Sequence, residues 1–119
     1  MTTSHLRAGQ LNRVITIQQR TATQDTFGGM PETWTNVAQN VYALIEALSG
    51  YEKMAGEAIA SGVSHRITVR YDPMFDDPKR VATYRILYGS RIFDVQVGMN
   101  VDEGNHIVEL LATEGMTLG

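Results

Sequence analysis

The sequence predicts an all-β fold: a small antiparallel β-barrel of about six strands, with a loop or short helix inserted between the second and third strands. Three observations carry this. Apolar and polar residues alternate with period two in several short runs, most cleanly where Val63, His65, Ile67, Val69 and Tyr71 interleave with Ser64, Arg66, Thr68 and Arg70. Clusters of Gly, Pro, Asn and Asp punctuate those runs at Phe27 to Pro31, Asp72 to Arg80, Gly89-Ser90 and Gly98 to Asn105. The run Val41 to Ala47 is apolar on both faces, as in a central strand of a small closed sheet or one at a subunit contact. Closure also removes the exposed edges of a short open sheet.

In chain order, residues 1 to 11 are polar and small, with Leu6 and Leu11 as isolated apolar points. They read as a flexible N-terminal arm or a frayed end. Asn12 to Gln19 is the first strand, with Ile15 and Ile17 on one face and Val14, Thr16 and Gln18 on the other. Thr21 to Pro31 is a polar connection closing a hairpin, since Gly28-Gly29 reaches positive φ cheaply and Pro31 donates no ladder hydrogen bond. The second strand runs from near Glu32 through Trp34 and Val37 to Ala47, with a break expected near Gln39-Asn40.

Leu48 to Gly62 is the least sheet-like segment. Ser49 and Glu52 have capping-box spacing, and Met54/Ala58 and Ala55/Ile59 are pairs four apart. The glycine content opposes a firm helix, each interior Gly costing about 1 kcal/mol against Ala. The segment therefore reads as a short marginal helix or a long loop. The third strand is Gly62 to Tyr71, and Asp72 to Arg80 is an exposed turn or loop. Thr83 to Tyr88 and Arg91 to Val97 form a hairpin around Gly89-Ser90. Gly98 to Asn105 is a second turn, and His106 to Thr113 is the last strand. The expected organisation is one domain over 1–119: arm 1–11, barrel 12–113 with insertion 48–62, and tail 114–119.

Composition narrows the function. At 119 residues the chain buries a core without staples. It has no cysteine, which excludes thiolate metal sites and disulfides. The net charge of −3 argues against a free-standing nucleic-acid binder. The N-terminus has no signal-peptide apolar run, and no stretch is long enough to span a bilayer, so a soluble intracellular domain is expected. His5, His65 and His106 are each isolated, without a metal partner at recognised spacing. Asp72, Asp76 and Asp77 cluster, but the glycine and bidentate glutamate of a calcium loop are missing. Ser49 and Ser90 lie in no nucleophile elbow, and Gly28-Gly29 lacks the Lys-Ser/Thr of a phosphate loop. No catalytic, cofactor or metal site is expected, and no enzyme. Arg66, Arg70, Lys79, Arg80, Arg85 and Arg91 hold six of the ten basic residues. They read as a solvated face interleaved with aspartates, or as a charged contact with a neighbouring subunit or DNA.

Several pieces, taken in order, carry a resemblance. They are Leu11 to Gln18 (LNRVITIQ), Asp25 to Gly29 with Glu32-Thr33-Trp34, and Val41-Tyr42-Ala43 leading to Leu48-Ser49-Gly50. After them come His65 to Tyr71, Tyr88-Gly89 with Arg91 to Val95, and Glu109-Leu110-Leu111. No single piece is specific; their order and spacing are. The chain resembles the head–tail joining proteins of tailed bacteriophages and prophages, also described as head-closure, stopper or head–tail adaptor proteins.

The resemblance implies a β-barrel subunit that forms a ring under the portal after DNA packaging, helps retain the DNA, and docks the tail. It implies that the insertion faces the channel, with Ser49, Gly50, Glu52, Lys53 and Glu57 as the candidate lining. Trp34, Tyr42, Leu44, Arg66 and Arg70 are the candidate subunit contacts. Expected partners are other copies of the chain, a portal or connector adaptor protein, a tail terminator or tail tube protein, and passing double-stranded DNA without sequence specificity. No membrane is expected. The expected location is the head–tail interface of a virion assembled in the bacterial host cytoplasm. The Met74 to Asp77 loop is longer than in such relatives, so its contacts do not carry over. Two alternatives remain: a tail-side assembly factor such as a tail terminator, and an OB-like nucleic-acid-binding barrel, for which Tyr84, Tyr88 and Phe93 beside Arg85 and Arg91 would be the signal.

Overall fold

The computed structural model describes residues 8–22, 32–60 and 62–115. They build a closed antiparallel barrel of six strands in the order β1-β2-β3-β6-β5-β4. The strands are β1 (Arg13–Ala22), β2 (Glu32–Ala47), β3 (His65–Arg70), β4 (Tyr84–Tyr88), β5 (Arg91–Asn100) and β6 (Ile107–Gly115). Helix α1 (Gly50–Ile59) lies between β2 and β3, and the single-turn helix α2 (Pro78–Val81) precedes β4.

The period-two pattern decides which side chains enter the barrel. Ile15, Ile17, Ala43, Ile67, Val69, Ile86, Phe93, Val108 and Leu110 are fully buried in one cluster. Tyr84 joins them, and Tyr88 packs against the cluster, so the aromatics of β4 and β5 fill the core. Phe93 meets His65 edge-on with ring centroids 5.0 Å apart. A smaller cluster of Leu48, Val63 and Leu111 lies beneath α1.

β1 and β2 pair from Arg13↔Ala43 to Ala22↔Glu32, while β1 pairs with β4 only over Thr16 to Gln19. The hairpin therefore runs on past the barrel wall as a two-stranded ribbon. Its expected connecting turn lies outside the described residues. The break expected near Gln39-Asn40 is a bulge within one continuous strand. Register shifts there, between Ile15↔Val41 and Ile17↔Ala38, and Asn40 takes φ 57°.

Several expectations are corrected. Ser49 occupies the N-cap position of α1 but makes no side-chain cap bond; the Glu52 amide donates to the Ser49 carbonyl instead, at 3.1 Å. Residues 72–80 are a largely exposed turn, as expected, but an ordered one. Asp72 accepts from the Met74 amide to start a 3-10 turn over Pro73–Phe75, and Asp77 accepts from the Lys79 amide to cap α2. Met74 and Phe75 pack on the core, and the Tyr84 hydroxyl donates to the Met74 carbonyl at 2.8 Å. β5 continues through Gly98, so the following turn begins only at Val101, where Asn100 and Asn105 bond side chain to side chain at 2.8 Å. β6 takes in Glu114 and Gly115 from the expected tail. Near the N-terminus, Ala8–Gln10 make a 3-10 turn and Leu11 is buried.

Candidate functional site

Helix α1 settles on the barrel through a glycine. A Cβ at Gly56 would stand 3.2 Å from Leu48 Cδ1 and 3.7 Å from Val63 Cγ1, so the missing side chain lets the helix axis approach. That contact outweighs the poor helix propensity of the segment. At about 100° per residue, the helix then shows three sides to its surroundings. Tyr51 and Met54 form an outward ridge, 85% and 69% exposed. On one flank Lys53 Nζ donates to Glu57 Oε2 at 3.2 Å and to the Val63 carbonyl at 3.0 Å. On the other, Ala55 and Ile59 overhang a groove of about 170 Å3 floored by Leu48, Met99 and Leu111.

Glu52 belongs to the groove side. Its carboxylate lies 3.3 Å from Arg66, whose guanidinium also bonds Glu46 at 3.0 Å. Burial disfavours the Arg66 charge, but the hydrogen bond and field of Glu46, with the fields of Glu109 and Glu52, outweigh it and raise the pKa. Three carboxylates around one guanidinium leave this rim acidic.

The sequence candidates therefore fall into distinct places. Ser49 and Gly50 are exposed at the start of α1, beside the Lys53–Glu57 flank. Glu52 joins Arg66 at the barrel wall. Tyr42, Leu44, Arg66 and Arg70 share the outer wall of β2 and β3: Tyr42 is 58% exposed, Leu44 is half-buried, and Arg70 is exposed. Thr68 on that same face is buried, so it is less open than the alternation implied. Trp34 stands apart at the base of the ribbon, half-buried beneath the Arg85 guanidinium at 3.9 Å. Arg85 Nε also donates to Gln18 Oε1 at 2.7 Å. A cleft of about 400 Å3 opens there, bordered by Arg20, Trp34, Arg85, Asp94 and Gln96.

Sequence reasoning missed the groove and the ridge. The signal was present in Tyr51, Met54, Ala55, Ala58 and Ile59, an apolar stripe at helical spacing. Its direction was not, because such a stripe ordinarily faces the core. The aromatic-and-arginine signal of an OB-like surface resolves differently. Tyr84 and Phe93 are buried, leaving no exposed stacking platform from them.

Ser64, His65 and Glu114 form a chain of contacts: Ser64 Oγ is 2.9 Å from His65 Nδ1, and Glu114 Oε1 is 3.7 Å from Nε2. Ser64 Oγ also accepts the Glu114 amide at 3.0 Å, and neither cleft described above reaches it, so it is tied into the sheet. Among the described residues no three His, Asp or Glu side chains converge to hold a metal, and no helix is long and apolar enough to cross a membrane.

The profile of the phage head completion protein family matches residues 6–115. Solved structures share the fold, two of them as follows. A chain of the virion of a native gene transfer agent particle superposes with TM-score 0.61 at 23% identity, covering 87% of this chain and 94% of that one. The solution structure of protein SF1141 from Shigella flexneri 2a gives TM-score 0.65 at 28% identity, covering 92% and 97%. No curated protein matches.

Proposed function

The chain belongs to the phage head completion protein family, and from that premise we propose that it forms a ring beneath the portal, helps retain packaged DNA and provides the surface on which the tail docks. The observation that carries this reading is the family match across nearly the whole chain. Family membership supports a structural role in a phage-type head, which calls for binding surfaces rather than catalysis.

Two features of the barrel support the finer reading. A ring needs two unlike faces on each subunit. The exposed Tyr42 wall over β1 and β2 and the α1 groove over β3, β6 and β5 are such a pair. The proposed channel lining is the α1 flank bearing Ser49, Gly50, Lys53 and Glu57, with Glu52 held back at the barrel wall by Arg66. Lys53 is paired with Glu57, so this flank carries little net positive charge and DNA passes without being held. Trp34, Leu44, Arg66 and Arg70 are proposed to join Tyr42 at subunit or partner contacts, with a portal or adaptor protein above and a tail terminator or tail tube protein below.

The test is incubation of the purified protein with DNA-filled, tailless capsids of the parent phage, followed by electron microscopy of the unique vertex. New density there, with DNA retained and tails able to join, is the expected result. A bare vertex with the protein bound to tail tubes would overturn it in favour of a tail-side assembly factor.

A further inference from the structure

Tyr42 and Val14 are register partners on β2 and β1, so their exposed side chains stand together as an apolar knob on the outer wall. Arg70 on β3 is next in register to Tyr42, one step beyond the Ala43↔Val69 pair. It is exposed, and among the described residues it makes no ion pair. The knob is therefore apolar with a cationic border.

The α1 groove is its complement. At about 170 Å3 it is smaller than the roughly 300–1,000 Å3 of small-molecule sites, which suits a single side chain better than a cofactor. Its floor is apolar, and its rim carries Glu52 and Glu109 with Arg66, which bonds Glu52 at 3.3 Å and leaves the rim with an acidic excess. In the strand order β1-β2-β3-β6-β5-β4, the groove is lined from β3, β6 and β5, so it begins one strand from Tyr42 on β2, at the Arg66 end of β3 and away from the Arg70 end. Two copies joined through their knobs alone would set Arg70 near Arg70 and leave both grooves empty. Knob into groove satisfies both surfaces and pairs opposite charges.

We propose that Tyr42 of one copy seats in the α1 groove of the next, with Arg70 reaching Glu52 and Glu109 on its rim. This rests on the ring reading above and specifies the contact. The contact is heterologous, so it repeats around a ring without closing at a dimer.

The chain has no cysteine, so an introduced pair reports without background. The full chain carrying Val14→Cys and Ala55→Cys, with Tyr42 kept, is added to tailless capsids and treated with a short thiol-reactive bifunctional cross-linker. The double variant is expected to give a ladder of dimers, trimers and larger species. A mixture of the two single variants should stop at dimers, and each single variant alone should stay monomeric. Arg70→Glu should abolish the ladder, and adding Glu109→Lys in the same chain should restore it. A vertex that gains density while the double variant stays monomeric overturns the contact and leaves head completion standing. Dimers from Val14→Cys alone overturn it in favour of a symmetric pair. If the vertex stays bare, cross-linking is read on concentrated protein in solution. A ladder there supports the contact without head completion, and its absence overturns the contact as well.

Discussion

Gly98 lies in β5 opposite Leu110 and against Val81 of α2. A Cβ at this position would sit 3.0 Å from Leu110 Cδ2, 3.2 Å from Val81 Cγ1 and 3.8 Å from Val108 Cγ1. Ordinary carbon contacts are about 3.5–4.0 Å, so the first two are too short. Leu110 is 0% exposed, and Val81 and Val108 are 1% exposed, which leaves them no open space to retreat into. Gly98 does not have positive φ, so alanine adopts its backbone conformation without strain and the effect isolates packing. Overpacking costs about 1–3 kcal/mol, offset by about 0.5–1 kcal/mol from the lower chain entropy of alanine in a strand. The two ranges combine to about 0–2.5 kcal/mol, so Gly98→Ala should destabilise by about 1 kcal/mol at their centre. In urea, with an m value of about 2 kcal/mol/M, the midpoint should fall by about 0.5 M with m unchanged. Val81→Ala removes the contact at 3.2 Å, so the double variant should lose less than the sum of the single losses. A Gly98→Ala midpoint equal to or above that of the parent protein would refute the reasoning, because the space around β5 would then not be full.

Three further predictions follow from local geometry. Burial lowers the pKa of His65, with Glu114 opposing and Arg91 assisting. The unfolded chain, near about 6.5, therefore binds the proton more readily than the folded one. This contribution to stability is present above that pH and lost as pH falls through the folded pKa. His65→Gln should flatten the decline in urea midpoint between about pH 7 and pH 5, and an equal decline in both proteins would count against the buried-histidine account. Arg85→Ala removes the guanidinium stacked on Trp34, the only tryptophan. The expected results are a red-shifted emission and a loss of about 0.5–1 kcal/mol, whereas unchanged fluorescence would mean that the stack does not form in solution. Asp77→Ala removes the acceptor of the Lys79 amide and should cost about 0.5–2 kcal/mol. Calcium should leave the melting temperature of parent and variant alike, and a calcium-dependent rise in the parent would restore a metal role for the aspartates.

Much of the fold was legible because alternation is a local property. Ile15 and Ile17, Ile67 and Val69, and Val108 and Leu110 each announce an inward face through two-residue spacing, and those side chains line the barrel. The family was legible in the order of weak pieces from Leu11 to Leu111, and the profile match over 6–115 agrees. Element ends were less legible. Gly98 looks like a turn residue, and only its neighbours Val81 and Leu110 reveal that it provides room inside a strand. Asp72 and Asp77 look like solvated loop charges until the Met74 and Lys79 amides are seen to need acceptors. Among the site candidates, Tyr42 was legible as an apolar residue on the second face of its strand, whereas the groove was not, because Leu48, Ile59, Met99 and Leu111 are scattered along the chain.

The sequence by itself determined the strands, their inward faces, the insertion between the second and third, and the family, since each depends on residues a few positions apart or on their order. The tertiary structure alone decided which way α1 turns. Gly56 allows the helix to rest on Leu48 and Val63, and that contact sends Tyr51 and Met54 outward while leaving a groove beside Ile59. The direction in which an amphipathic segment faces is set by the surface it meets, and here that surface is assembled from the segments flanking α1 together with β5 and β6 only once the barrel has closed.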